Sequence, residues 1–284
     1  GLRNPLVTLD DKYTVESGRI FLSGTQAFVR LPMMQRKRDA AAGLRTAGFI
    51  SGYRGSPLGG LDQALWKARA HLDAHDIRFQ PGINEELAAT AVWGSQQLNL
   101  FRGARYDGVF ALWYGKGPGV DRCGDVFKHA NYAGTSRHGG VLALAGDDHA
   151  CKSSTLPSQS EYALMDAMIP VLSPANVQEI LDLGIYGWEL SRFSGCWVGF
   201  KAIADTVDSS ASVSVDPHRV NIVIPDDVEV PPGGLGIRWP DSPLEQELRL
   251  QRYKLYAALA FARANTLDRI VLDSPRPRFG IVTT

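Results

Sequence analysis

Three short stretches carry residues whose types and spacing could do chemistry. Asn84-Glu85-Glu86 stands just ahead of the apolar run Leu87-Ala88-Ala89-Thr90-Ala91-Val92-Trp93. Leu87, Ala88, Ala91, Val92 and Ser95 fall on one helical face and asparagine is a favourable N-cap, so Glu85 is expected to be the first residue of a helix. A carboxylate there has two readings. It can complement the positive end of the helix, a common placement that contributes under about 1 kcal/mol. Alternatively, apolar surroundings raise its pKa so that it keeps a proton at neutral pH. Gly52-Tyr53-Arg54-Gly55-Ser56-Pro57 offers a hydroxyl at a strand–turn junction. Proline at a first helical position predicts a helix from that point, with backbone N–H groups available to an anion. Gly115-Lys116-Gly117-Pro118-Gly119 follows another expected strand. It lacks the Gly-x-x-x-x-Gly-Lys-Ser/Thr spacing of a nucleotide phosphate loop, which leaves close backbone approach to a ligand, or a plain tight turn, as the use of its glycines.

Two further groups are weaker. Arg137, in Thr135-Ser136-Arg137-His138, could pair bidentately with a carboxylate, or simply be solvated. Gly146-Asp147-Asp148-His149, followed by Lys152-Ser153-Ser154, closes an apolar strand. Adjacent side chains rarely converge on one ion, so these residues are expected to order a loop, and no metal site is assigned.

Positioning such residues needs a frame, and the hydrophobic pattern supplies one. Short strands are expected at 20–24, 49–53, 77–79, 108–114, 140–146, 169–172 and 197–203. Helices are expected at 25–34, 39–48 (ending on Gly48), from Ser56 through Leu72, from Glu85, and at 121–132, 160–168 and 176–190. This alternation predicts an α/β fold with an open, mostly parallel sheet and helices on both faces, its ligands gathered beyond the strand carboxyl ends. After about residue 215 the texture changes to a proline- and glycine-rich connector, an amphipathic helix at 245–263 and a strand beginning at 279–284. The expected division is an N-terminal arm over 1–35, a ligand-binding domain over 36–215, and a connector with the start of a truncated next domain over 216–284.

Composition narrows the function classes. Lys+Arg and Asp+Glu are both 30, so no global field draws the chain to nucleic acid or an anionic membrane. No apolar run approaches the ~20 residues of a membrane span, and the amino terminus lacks a secretory core. Cys123, Cys151 and Cys196 are widely separated, which argues against a disulfide framework, an iron–sulfur site or a zinc site and suits a reducing cytoplasm. Cys151 and Cys196 read as small buried hydrophobes. The tryptophans read mostly as core, with Trp93 equally placed to wall an aromatic ligand.

Taken together, the Tyr53, Glu85, Lys116 and Asp147 segments resemble the amino-terminal part of the thiamine-diphosphate-dependent 2-oxoacid:ferredoxin oxidoreductases, and most of all the fused-chain indolepyruvate type. The resemblance covers essentially the whole chain and is strongest over about 5–215. It implies a pyrimidine-binding domain in which Glu85 is the acid hydrogen-bonded to ring nitrogen N1′; Glu86 is the neighbouring alternative. Tyr53, Gly55, Asn84, Gly115, Lys116 and Gly117 would line the ring end of thiamine diphosphate. Ser56, where the family usually carries threonine, would face the substrate carboxylate, with Arg137 as a second partner. Arg54 departs from the usual proline of that loop. Such enzymes bind magnesium diphosphate through Gly-Asp-Gly followed some thirty residues later by asparagine. Here the third position is Asp148 and Asn176 reads as an N-cap, so the match is rejected. Magnesium ions and iron–sulfur clusters are then expected only in the missing remainder of the fused chain, and this part alone is expected to be inactive. The implied reaction is oxidative decarboxylation of indolepyruvate or related aryl 2-oxoacids to acyl-CoA, with coenzyme A and ferredoxin as partners, in a homodimer. A ferredoxin oxidoreductase for another 2-oxoacid and a non-catalytic scaffold of the same fold are the rivals. A dinucleotide-binding fold is disfavoured because no Gly-x-Gly-x-x-Gly follows a strand.

Overall fold

The strands in chain order are β1 (Arg19–Ser23), β2 (Thr46–Gly52), β3 (Ile77–Phe79), β4 (Gly108–Lys116), β5 (Val141–Asp147), β6 (Val171–Leu172), β7 (Val198–Ile203) and β8 (Ser210–Ser214). In this computed structural model, which describes residues 7–152 and 154–283, six of them form one parallel sheet in the order β3-β2-β4-β5-β7-β6. Readings that fell on residues 1–6, Ser153 and Thr284 lie outside the described residues. β5 is buried at every position, as expected of a central strand covered on both sides.

Alternation along the strands sorts the core into two layers. Phe110, Leu112 and Tyr114 of β4, with Leu142 and Leu144 of β5, pack towards the helices Gly24–Ala41, Leu61–Lys67 and Val177–Ser194. Ala111 and Trp113, with Val141, Ala143 and Ala145, pack towards Glu85–Ser95, Gly124–Ala133 and Glu161–Asp166. The α/β class expected from the pattern is the one observed.

The order of the strands places a topological switch. From β2 the chain moves outward to β3; from β4 it moves the other way, to β5. The loops leaving β2 and β4 therefore diverge, and a crevice opens between them at the carboxyl edge, where open α/β sheets collect their ligands.

Several local expectations are corrected. A single helix runs from Gly24 to Ala41 in place of separate helices at 25–34 and 39–48, so a boundary at residue 35 would fall inside it. Pro32 sits within that helix without ending it, and packing of the helix face into the core outweighs the lost backbone bond. The chain turns instead at Gly43, whose φ is +78°. Gly48 belongs to β2, where a Cβ would stand 2.8 Å from both Ile77 and the Phe110 ring. The next helix starts at Leu61, not at Pro57, and the Ser56–Pro57 bond is cis. β8 was not foreseen, since Ser-Ala-Ser-Val-Ser carries little apolar signal; it pairs antiparallel with β1. Residues 279–283 are exposed and irregular, not a strand.

The carboxy-terminal helix is continuous through Pro243–Arg249, a π-helical turn at Leu250–Lys254, and Leu255–Ala264. It opens on a capping box between Ser242 and Glu245. The Lys254 side chain is fully buried and donates to the Tyr132 carbonyl at the end of Gly124–Ala133 (3.2 Å). Burial pulls its pKa down to about 8, with the Arg249 charge acting in the same direction. The charged form is thus disfavoured in the folded state. Stability from this group is lowest below pH 8 and rises as pH climbs through 8 towards 10.5, by up to about 3 kcal/mol. Urea unfolding of wild type and Lys254→Met at pH 7.5 and 10 checks this: the wild type should gain on the variant at the higher pH.

Candidate functional site

The crevice is assembled by backbone contacts that bring three loops to the ends of β2 and β4. Gly82 N–H donates to the Gly52 carbonyl (2.8 Å) and Gln80 N–H to that of Ile50 (2.9 Å), laying the approach to Glu85 along the end of β2. Tyr53 N–H donates to the Tyr114 carbonyl (3.0 Å), tying the turn after β2 to β4. Gly52 must be glycine here, because a Cβ would stand 2.1 Å from the Tyr114 oxygen. A Cβ on Gly55 would meet the Lys116 side chain at 2.9 Å, so that turn rests directly on Lys116.

Glu85 opens the helix Glu85–Ser95, and the Asn84 side chain accepts from Leu87 N–H (2.8 Å) as its cap. Trp113, wholly buried on β4, donates its indole N–H to the Glu85 carbonyl (3.0 Å), which fixes the helix start against the sheet. The Glu85 side chain lies across Gly119: a Cβ there would be 2.6 Å from Cγ and 2.9 Å from Oε1. Glu86 turns away, towards Arg122 at the surface (3.8 Å). The two glutamates, equivalent in sequence, thus have different surroundings. Cys123 lies buried close by, its thiol pushed up to about 12 by burial and then by the charges of Glu85 and Glu86. Glu85 itself is half-buried, less enclosed than the apolar sequence around it led one to expect.

No family model matches the chain. It is 29% identical over 185 residues to the indolepyruvate oxidoreductase subunit IorA of Methanothermobacter marburgensis, covering 65% of this chain and 26% of that one. The Pyrococcus abyssi subunit of the same name is 26% identical over 177 residues, covering 62% and 24%. The chain thus spans about a quarter of the length of these curated relatives. Among solved structures it is similar to the 2-oxoglutarate:ferredoxin oxidoreductase of Magnetococcus marinus, with a TM-score of 0.58 at 16% identity, over 86% of this chain and 45% of that one. The chain is thus similar in sequence to indolepyruvate oxidoreductase subunits and in fold to a 2-oxoglutarate:ferredoxin oxidoreductase.

Against the site expected from the sequence, the structure gathers most of the residues singled out and removes one. Tyr53 (40% exposed), Gly55, Ser56, Asn84, Glu85 and Lys116 all stand on the loops that meet at the crevice. Ser56 lies in a turn five residues ahead of the next helix, so no helix start lies beneath it. Gly115 and Gly117 are explained by internal packing: their missing side chains make room for the Trp113 indole and for Ser158. Arg137 is exposed in the segment that enters β5, at the amino edge of the sheet and opposite the crevice. Nearness in sequence to Gly146 had concealed a full strand's separation. Gly119 and Trp113, which hold Glu85 in place, were missed as such. Gly119 was visible as one glycine of a loop, but nothing local couples it to Glu85.

Asp147, wholly buried, accepts from Ser160 Oγ (2.6 Å) and N–H (2.8 Å) and pairs with Lys201 (3.3 Å), so it orders the following loop. Asn176 caps Val177–Ser194 by accepting from Glu179 N–H (3.0 Å). Cys151, read as buried, is half-buried at φ +56°. Among the described residues no group of three His, Cys, Asp or Glu side chains is placed to hold a metal ion, and no helix is long and apolar enough to cross a membrane.

Proposed function

We propose that this chain supplies the pyrimidine-facing half of a thiamine diphosphate site in an enzyme that oxidatively decarboxylates 2-oxoacids, indolepyruvate or related aryl 2-oxoacids foremost, to acyl-CoA with ferredoxin as acceptor. The observation that carries this reading is the Glu85 carboxyl group, held at a helix start over Gly119 in the switch-point crevice while Glu86 is drawn off to Arg122. The residues fit a flat ring bearing a basic nitrogen: one acid, a glycine surface beside it and an apolar backing of Ala88, Val92 and Trp113. When bound, the cofactor supplies the nucleophile for decarboxylation. Glu85 shares a proton with the ring nitrogen through its carboxyl oxygen. Trp113 keeps the helix start from shifting, and Asn84 caps it. Ser56, across the crevice, is assigned to the substrate carboxylate.

The unit given this role runs through β8 to about residue 215. Magnesium, iron–sulfur clusters and the acceptor sites for coenzyme A and ferredoxin are assigned to the rest of a fused chain, in a cytoplasmic homodimer. The test is turnover of the full-length protein with indolepyruvate, phenylpyruvate, pyruvate and 2-oxoglutarate, read as reduction of ferredoxin dependent on both coenzyme A and thiamine diphosphate. Aryl substrates are expected to be fastest. Preference for another 2-oxoacid would move the assignment to the rival within the family, and no turnover with any of them would sink it.

A further inference from the structure

A second pocket opens beside the crevice, and its polar lining is mostly hydroxyl-bearing, with one cation, Lys116, and one carboxylate, Asp121. It lies between residues 116–121 after β4 and residues 154–159 after β5, holds about 330 Å³, and is lined by Lys116, Asp121, Ser154, Thr155, Ser158 and Gln159 among others. Its outer wall is pinned to the end of β5. Lys152 N–H donates to the Asp148 carboxylate (3.0 Å) and Ser158 N–H to the Asp148 carbonyl (3.3 Å), while Ser160 is held twice by Asp147. Ser158 is thereby pressed over Gly117, where a Cβ would lie 2.5 Å from its own. The Ser154 hydroxyl is shielded from solvent and has no hydrogen-bond partner among the described residues.

Lys116 is the cation of this pocket. It is half-buried between the Gly55 turn and the pocket, and no carboxylate among the described residues lies within ion-pair distance of it. Its neighbour at the same sheet edge shows the contrast: Lys201 is saturated by Asp147 (3.3 Å), His149 (3.2 Å) and Glu161. The one carboxylate of the lining, Asp121, is exposed and forms no ion pair with Lys116, so a partly desolvated ammonium facing several hydroxyls is left complementary to an anion.

We propose that this pocket binds the anionic group of a ligand, a carboxylate or a phosphate, with Lys116 as its charge partner and the Ser154, Thr155 and Ser158 hydroxyls as donors. Because Lys116 also underlies the Gly55 turn, the anion belongs to a molecule that can extend into the crevice. The pocket needs no role for Glu85.

Titration of the chain with inorganic phosphate and, separately, with phenylpyruvate, read by amide shifts of residues 116–119 and 154–159, tests it. Saturable shifts with phosphate identify a phosphate ligand, and with phenylpyruvate alone a carboxylate. Lys116→Gln is expected to weaken binding about tenfold or more, Lys116→Arg to retain it, and Lys152→Gln, on the exposed side of the loop, to leave it unchanged. Glu85→Gln should not alter these titrations, so failure of the cofactor reading would leave them intact. Absence of saturation with both anions, or wild-type binding by Lys116→Gln, overturns the proposal.

Discussion

If the proposed function holds, replacing Glu85 with glutamine in the full-length protein is expected to lower turnover by roughly 10²–10⁴-fold, the usual loss when a positioned acid–base group is removed. Glutamine keeps the size of the side chain, and the bond from Trp113 reaches the backbone carbonyl, so the helix start should stay in place. Losing a negative charge from the first helical turn costs under about 1 kcal/mol, so unfolding should barely move. Glu86→Gln is the internal control. Its carboxylate sits at the surface beside Arg122, and turnover should change little. Gly119→Ala should act through Glu85, because the added methyl would lie 2.6 Å from Cγ and force the carboxyl group aside. The double variant should then be no slower than Glu85→Gln alone, the signature of two residues serving one function. Steady-state kinetics and denaturant unfolding on the same preparations separate these effects. Unchanged turnover in Glu85→Gln would leave only the scaffold reading.

Asp39→Ala is expected to destabilise the fold by about 3–5 kcal/mol, the range for a buried ion pair stripped of one partner. Asp39 and Arg192 are 3% and 8% exposed, so neither has water to fall back on. Arg192 Nη1 and Nη2 donate to the two carboxylate oxygens at 2.7 and 2.8 Å, a bidentate pair. Burial alone would lower the Arg192 pKa, but the bonds to Asp39 more than offset this and raise it. Thr46 Oγ1 (2.6 Å) and Gln35 Nε2 (2.9 Å) complete the network. One carboxylate therefore joins the last turns of the Gly24–Ala41 and Val177–Ser194 helices to the first residue of β2. Removing it takes the bidentate partner from a buried guanidinium, which is left with Glu189 (3.1 Å) and the Gly139 and His138 carbonyls (2.9 and 3.2 Å), and leaves the Thr46 hydroxyl without this acceptor. The urea midpoint should fall with little change in slope. Asp39→Ala combined with Arg192→Met should recover part of the loss, because the buried guanidinium is then gone and Glu189, 21% exposed, keeps the Gln35 amide (3.1 Å).

The sequence by itself determined what nearest neighbours decide. An asparagine ahead of an apolar run set the start of the Glu85 helix, through a cap that spans three residues. Unbroken apolar stretches marked β4 and β5, and an asparagine read as a cap at 176 proved to be one. The alternation of strand and helix was enough for the fold class. What only the tertiary structure decided depends on pairings distant in sequence. Strand order created the crevice between β2 and β4, and the same order sent Arg137 to the far edge of the sheet. Packing carried one helix through Pro32 and paired the weakly apolar β8 with β1. Contact with Gly119 separated Glu85 from Glu86. Local propensities are worth tenths of a kcal/mol per residue, whereas burying a helix face or closing a sheet is worth several, and that sum is taken over partners no short window contains.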